Sequence, residues 1–178
     1  MSEIILWDSE GCTGKKKEDF CSDTPDLGVK FFGGVARSLK IKGNHWVAFT
    51  GKNYTGDFKV FGEGEHERLG ALDQKINSLK LLTTDLSFPS IVLYEHIDFK
   101  GQSRNVDCRI DDLKTGGFDN LVSSHVVKSG VWVLHEDPCC QGRRMVAFEG
   151  EKTANYCKLG WNDKMSSLRP LLTSDFEV

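Results

Sequence analysis

The sequence predicts an all-β fold of two β-sandwich domains, each built from two Greek-key motifs. Three observations lead there. A unit of about 40 residues recurs four times, its apolar runs are short and cut by Gly and Asp turns, and helical periodicity is almost absent.

The repeat is anchored by a frame of an aromatic residue or His, four residues, an aromatic residue or Cys, one residue, and Gly. It reads WDSEGCTG from Trp7, FTGKNYTG from Phe49, YEHIDFKG from Tyr94 and HEDPCCQG from His135. The closing glycines, Gly14, Gly56, Gly101 and Gly142, lie 42, 45 and 41 residues apart. Each is followed, 22 to 25 residues on, by a serine ending a polar segment: Ser38, Ser78, Ser124 and Ser167. A short apolar strand follows each serine: LKI, LKLL, HVV and LRPLL.

Within the units, WVAFTG, SIVLYE, VWVLHE and RRMVAFEG carry the Val, Ile, Leu and aromatic content of strands. The best helical candidate is a turn around Arg109 to Leu113. One unit offers too few strands to bury both faces of a sheet, so units pair. The expected domains are residues 1–84, with keys 1–43 and 44–84, and residues 90–173, with keys 90–130 and 131–173. Residues 85–89 form a linker in the segment TTDLSFP, where Pro89 stops strand pairing. Residues 174–178 are expected to be a tail.

Composition excludes several functions. The net charge of −3 gives no nucleic-acid footprint, and Lys15-Lys16-Lys17 runs straight into Glu18-Asp19, which reads as a solvated turn. MSEIILWDSEG is acidic where a leader is basic, and no apolar run is long enough to span a membrane, so a cytoplasmic protein is expected. The six cysteines have irregular spacing and no C-x-x-C, which points to buried free thiols. GCTGKK fails the phosphate-loop spacing, FGEGEHERLG lacks the third glycine of a dinucleotide turn, and neither G-x-S-x-G nor H-E-x-x-H occurs. The five histidines fall singly. The chain is expected not to be an enzyme.

With its four frames in register from Ile4 to Leu172, the chain resembles the βγ-crystallin superfamily. GNHWVAFTGKNYTG and EGEHERLGALDQKINSLKLL are most similar to its non-lens, epidermis-differentiation group. The resemblance implies that the serine ending each polar segment holds the folded first hairpin of its key. It also implies a calcium motif of two Asn/Asp, two variable residues, Ser/Thr and Ser, which GFDNLVSS and GWNDKMSS match. The implied ligand set is Asp119 or Asn120 with Ser123, Asn162 or Asp163 with Ser166, and carbonyls from Leu121, Lys164, Glu95 and Glu136. Ligands are shared between keys, giving two paired sites.

Calcium is a hard ion that takes six to eight oxygens, and each octet supplies carboxylate or carboxamide, carbonyl and hydroxyl oxygens. One carboxylate per octet implies modest affinity, ~10⁻⁵ to 10⁻⁴ M. GGVARS lacks the acidic pair and places Arg37 in the hydroxyl slot, while DQKINS keeps Asp73 but places Asn77 there. The expected protein is therefore a monomeric, non-enzymatic calcium binder with about two Ca2+ ions in its C-terminal domain and a structural or stress-related role. Two alternatives stand beside it. One is an interaction module that docks a protein or membrane partner, such as a pore-forming complex. The other is a lens-type structural protein without calcium.

Overall fold

A computed structural model describes residues 1–118 and 120–177, with Glu177 described by its backbone only. Asp119, one of the expected ligands, lies outside the described residues. The chain divides into two compact units, residues 1–83 with 174–178, and residues 84–173.

In the N-terminal unit, β1 (Glu3–Trp7) pairs with β2 (Lys17–Phe20) and β3 (Ser38–Lys42), while β4 (Trp46–Phe49) pairs with β5 (Phe58–Phe61). β6 (Gly64–His66) belongs to the second key yet pairs with β3 of the first; β7 (Ser78–Leu81) returns to β4. The first key reciprocates through a bridge from Thr24 to Leu79 on β7. Neither key closes a sheet alone, which is the physical reason the repeat works in pairs. The period-2 pattern of β1 and β3 sends Ile4, Leu6, Leu39 and Ile41 inward against Phe32, Trp46 and Phe61.

The C-terminal unit repeats this plan. β8 (Ser90–His96), β9 (Lys100–Val106) and β10 (Ser124–Ser129) form the third key, and β11 (Trp132–Asp137), β12 (Gln141–Ala147) and β14 (Ser167–Pro170) the fourth. β13 (Lys152–Thr153) crosses to β10, and Ile110 bridges to Leu168 on β14. Its core gathers Ile91, Leu93, Trp132, Leu134, Tyr156 and Trp161.

The four hairpin corners share one construction. In each, the slot serine is fully buried and its Oγ joins two backbone groups of the folded hairpin. Ser38 accepts from the Cys12 N–H at 3.0 Å and donates to the Ser9 carbonyl at 2.5 Å. Ser78 does the same with Tyr54 and Gly51, Ser124 with Phe99 and His96, and Ser167 with Cys140 and Asp137. The hairpin folds because two successive residues take positive φ: Gly11-Cys12, Asn53-Tyr54, Asp98-Phe99 and Cys139-Cys140. In the second and third keys the two frame aromatics meet edge to face, Phe49 with Tyr54 and Tyr94 with Phe99.

Three expectations need correction. The cysteines are free, but none is buried: Cys21, Cys108, Cys139 and Cys157 are exposed, and Cys12 and Cys140 are half-buried. Cys12 and Cys140 sit at positive-φ corners whose backbone N–H groups, rather than their thiols, are drawn to the buried slot serines. The single-turn helix falls at Leu113–Gly116 rather than Arg109 to Leu113, because Asp112 accepts from the Lys114 N–H and starts it there. The tail is not free of the fold either. β15 (Phe176–Glu177) lies parallel to β5, and the Phe176 ring sits 4.3 Å from that of His45. Among the described residues, no helix is long and apolar enough to cross a membrane.

Candidate metal centre

The polar segment before each slot serine leads from a short turn into the third sheet strand of its key. Two backbone features recur in all four copies. The residue just before the slot serine donates its N–H to the carbonyl of the frame aromatic or His: Arg37 to Trp7 at 2.9 Å, Asn77 to Phe49 at 2.8 Å, Ser123 to Tyr94 at 3.0 Å and Ser166 to His135 at 3.1 Å. The second residue of each segment takes a left-handed conformation: Gly34 (φ 66°), Gln74 (54°), Asn120 (52°) and Asp163 (54°). Asn and Asp tolerate that region better than most side chains, so this member of each Asn/Asp pair has an architectural reason to be there.

The backbone is thus common to all four segments, and the side chains decide what each can hold. In the second key, the Asn77 amide donates to the Thr50 carbonyl at 2.8 Å and to the Lys75 carbonyl at 3.0 Å. Thr50 follows the frame aromatic, as Glu95 and Glu136 do, and Lys75 occupies the slot of Leu121 and Lys164. The fold therefore brings these two carbonyl positions around one point, which in this key an amide nitrogen occupies. In the first key, the Arg37 guanidinium lies 3.2 Å from Asp73 and 3.2 Å from Glu10, and the hydrogen bond and charge of Asp73 raise its pKa further. Both hydroxyl slots of the N-terminal unit are filled by groups that donate to oxygen.

Replacing Asn77 by Ala should cost the N-terminal unit about 1–2 kcal/mol, because two carbonyls lose a common donor. Urea melts followed through that unit's backbone exchange measure it.

The C-terminal unit has short hydroxyls instead. Ser123 and Ser166 are buried, 6% and 7% exposed. Ser123 Oγ lies 3.4 Å from the Leu121 carbonyl, one of the two expected carbonyl donors of its key. The two loops are tied reciprocally, since the Tyr156 N–H donates to the Ser123 carbonyl at 3.0 Å and the Leu113 N–H to the Ser166 carbonyl at 2.8 Å. Asn162 donates to Asp163 at 2.6 Å, which keeps the fourth key's pair together at the loop surface. The Glu95 side chain accepts from the Gln102 N–H at 3.1 Å, and Glu136 faces Arg143 at 3.6 Å. These contacts leave the Glu95 and Glu136 side chains a local role, while their carbonyls correspond to that of Thr50.

Among the described residues, no three His, Cys, Asp or Glu side chains cluster as metal ligands. A cation here would rest on carbonyl, hydroxyl and Asx oxygens, the donor set of a hard ion. The donors that the structure describes fit such an ion chemically, with one carboxylate in the fourth key.

Two buried histidines flank these loops. His125 is 1% exposed; its Nδ1 lies 2.5 Å from the Tyr156 hydroxyl, and its Nε2 has no partner among the described residues. Burial lowers its pKa to about 4 and raises that of Tyr156. His135, in the frame-aromatic slot of the fourth key, is 4% exposed, and a backbone contact at Gln141 opposes the lowering of its pKa only weakly. Burial first, then repulsion from Arg169, Arg144 and Arg109, lowers its pKa to about 4. In the sequence both histidines fall singly, and burial is a property that a lone His does not announce.

Comparison with known proteins agrees with the repeat. The Beta/Gamma crystallin family profile matches residues 3–82 and 90–171. The chain is 36% identical over 171 residues to the epidermal differentiation-specific protein of Cynops pyrrhogaster, covering 96% of this chain and 50% of that protein. It is 29% identical over 140 residues to human Beta/gamma crystallin domain-containing protein 1, covering 76% of this chain and 6% of the relative. It thus spans half of the newt protein and a small part of the human one. Among solved structures, a βγ-crystallin from Ciona intestinalis aligns with a TM-score of 0.44 and 29% identity, covering 46% of this chain and 99% of that one. Geodin, from Geodia cydonium, covers 96% of this chain and 99% of its own length at 19% identity and a TM-score of 0.39. The paired Greek keys, the four serine-held hairpins and the family match over both halves agree: the chain belongs to the Beta/Gamma crystallin family.

Proposed function

We propose that this chain is a non-enzymatic calcium-binding module whose C-terminal unit takes two Ca2+ ions and whose N-terminal unit takes none. One observation carries the reading. The backbone frame is the same in all four keys, yet Asn77 fills the point between two carbonyls in the second key and Arg37 reaches across to acids in the first. The equivalent slots of the third and fourth keys hold Ser123 and Ser166, whose short hydroxyls offer an oxygen that can accept a cation, unlike the amide nitrogen of Asn77 or the guanidinium of Arg37. The residues that would hold the ions are Ser123, Ser166, the carbonyls of Glu95, Glu136, Leu121 and Lys164, and one or both of each pair Asp119/Asn120 and Asn162/Asp163. Bound calcium ties the loops of two keys together, which makes a structural, stabilising role the natural consequence. At free calcium about 100-fold above the dissociation constant, the gain is roughly 2.7 kcal/mol.

Calorimetric titration of the whole chain tests this. The expected result is two ions per chain with dissociation constants of ~10⁻⁵ to 10⁻⁴ M, lost together in S123A/S166A. Heat-free titration of the wild-type chain, or an unchanged isotherm in the double variant, would overturn it.

A further inference from the structure

The short turn that precedes the polar segment ends in a left-handed residue in three of the keys. In the third and fourth keys that residue is glycine, Gly117 (φ 69°) and Gly160 (φ 68°). In the first key it is Phe31, at φ 55°. A bulky side chain at such an angle is strained, and burial of the ring would be the ordinary compensation. Here there is none, because Phe31 is 80% exposed. Val29, two residues earlier on the same turn, is 70% exposed. The strain therefore serves no packing purpose within this chain.

The surroundings are basic. Lys16 Nζ donates to the Phe31 carbonyl at 2.9 Å and lies 6.0 Å from the centre of the Phe32 ring, while Lys17 Nζ lies 5.7 Å over the Trp7 ring. Lys15, Lys16 and Lys17 are exposed, and none has a carboxylate partner among the described residues. Of the nearby acids, Glu18 faces Lys30 at 4.0 Å, and Asp26 is held by Lys52 at 2.9 Å and by the Gly28 N–H. Asp19 is exposed. The result is an exposed apolar tip, Val29 and Phe31, with Lys16 at its base and with more lysines than acids in the adjoining Lys15–Asp19 segment. The chain's net charge of −3 does not oppose this, because ionic screening confines the relevant field to about 8–10 Å.

We propose that the Phe31 turn is a docking tip for an anionic lipid surface. The ring and Val29 enter the headgroup boundary while Lys15, Lys16 and Lys17 meet lipid phosphates and carboxylates. An exposed aromatic ring near ammonium groups is an arrangement that settles at a bilayer interface. The tip belongs to the N-terminal unit and uses none of the candidate calcium ligands, so its action is independent of calcium.

Vesicle flotation of the full chain tests this, using phosphatidylcholine alone and phosphatidylcholine with phosphatidylserine. The wild-type chain should float with the anionic vesicles only, equally with and without chelator, and less at high salt. F31G should lower the bound fraction about tenfold or more, the worth of burying a phenylalanine ring, while its melting temperature holds or rises because the strain is relieved. K15E/K17E, which spares the Lys16 contact, should also release it. Failure of the wild-type chain to float, or undiminished flotation of F31G, overturns the proposal. So does a Phe31-dependent dimer in sedimentation without vesicle binding, which would assign the tip to a second copy of the chain.

Discussion

Lowering the pH from 7 to 4 should strip several kcal/mol of stability from the C-terminal unit. His125 and His135 are both buried in their neutral form with pKa values near 4, against 6.5 for an exposed histidine. Their folded pKa values lie below the unfolded value, so the unfolded chain takes up protons first as pH falls. Stability is intact above about pH 6.5, declines between there and pH 4, and stops falling on this account once both states are protonated. Each histidine is worth about 3 kcal/mol over that window. The two should differ in their response to salt. The His125 shift comes from burial, whereas part of that of His135 comes from Arg169, Arg144 and Arg109, which salt screens. Urea melts at pH 7 and pH 4.5, read through the C-terminal unit, provide the measurement. H125F/Y156F removes the buried imidazole and its hydroxyl partner together and should flatten about half of the slope. An equal slope in that variant would assign the acid sensitivity to the carboxylates instead. The described residues of the N-terminal unit include no buried histidine, so its acid response should lack this component.

Replacing Ser124 by Ala should cost the C-terminal unit about 2–4 kcal/mol. The hydroxyl accepts from the Phe99 N–H at 3.1 Å and donates to the His96 carbonyl at 2.6 Å, inside a fully buried slot. Alanine leaves both backbone groups without a partner where water does not reach, and it frees a hairpin held at two positive-φ residues, Asp98 and Phe99. The neighbouring serine should behave oppositely. Ser123 makes one long contact of 3.4 Å, so S123A without calcium should cost under about 1 kcal/mol. Its effect should emerge only when calcium is present. Denaturant melts of the two single variants, each with calcium and with chelator, separate the architectural serine from the ligand serine.

The repeat made much of this legible in the sequence. A pattern written four times reveals the hairpin, its buried serine and the strand that follows, because every copy must satisfy the same backbone groups. The strands of WVAFTG, SIVLYE, VWVLHE and RRMVAFEG were legible because β-branched and aromatic residues suit a half-buried pleat. What stayed hidden depends on the sign of a dihedral or on distant neighbours. Either Asn or Asp of each octet could serve as the ligand on sequence alone, yet Gly34 and Gln74 adopt the left-handed angle of the second one without that chemistry. Cys12 and Cys140 stand in an aromatic slot and were read as core, but the corner holds them half-exposed. The role of Asn77 required knowing that the carbonyls of Thr50 and Lys75, distant in sequence, converge on one point. Likewise, the pairing of Phe176 with Val60 joins chain segments too far apart for any local pattern to connect.

The claim that calcium belongs to the C-terminal unit alone is tested most directly by hydrogen exchange of the whole chain, with calcium and with chelator, read segment by segment. Calcium should slow exchange in residues 94–101, 111–124, 136–142 and 154–167. The equivalent N-terminal segments, 7–14, 26–38, 50–56 and 70–78, should exchange identically in both conditions. Protection of the N-terminal segments by calcium, or no protection of the C-terminal ones, would contradict it.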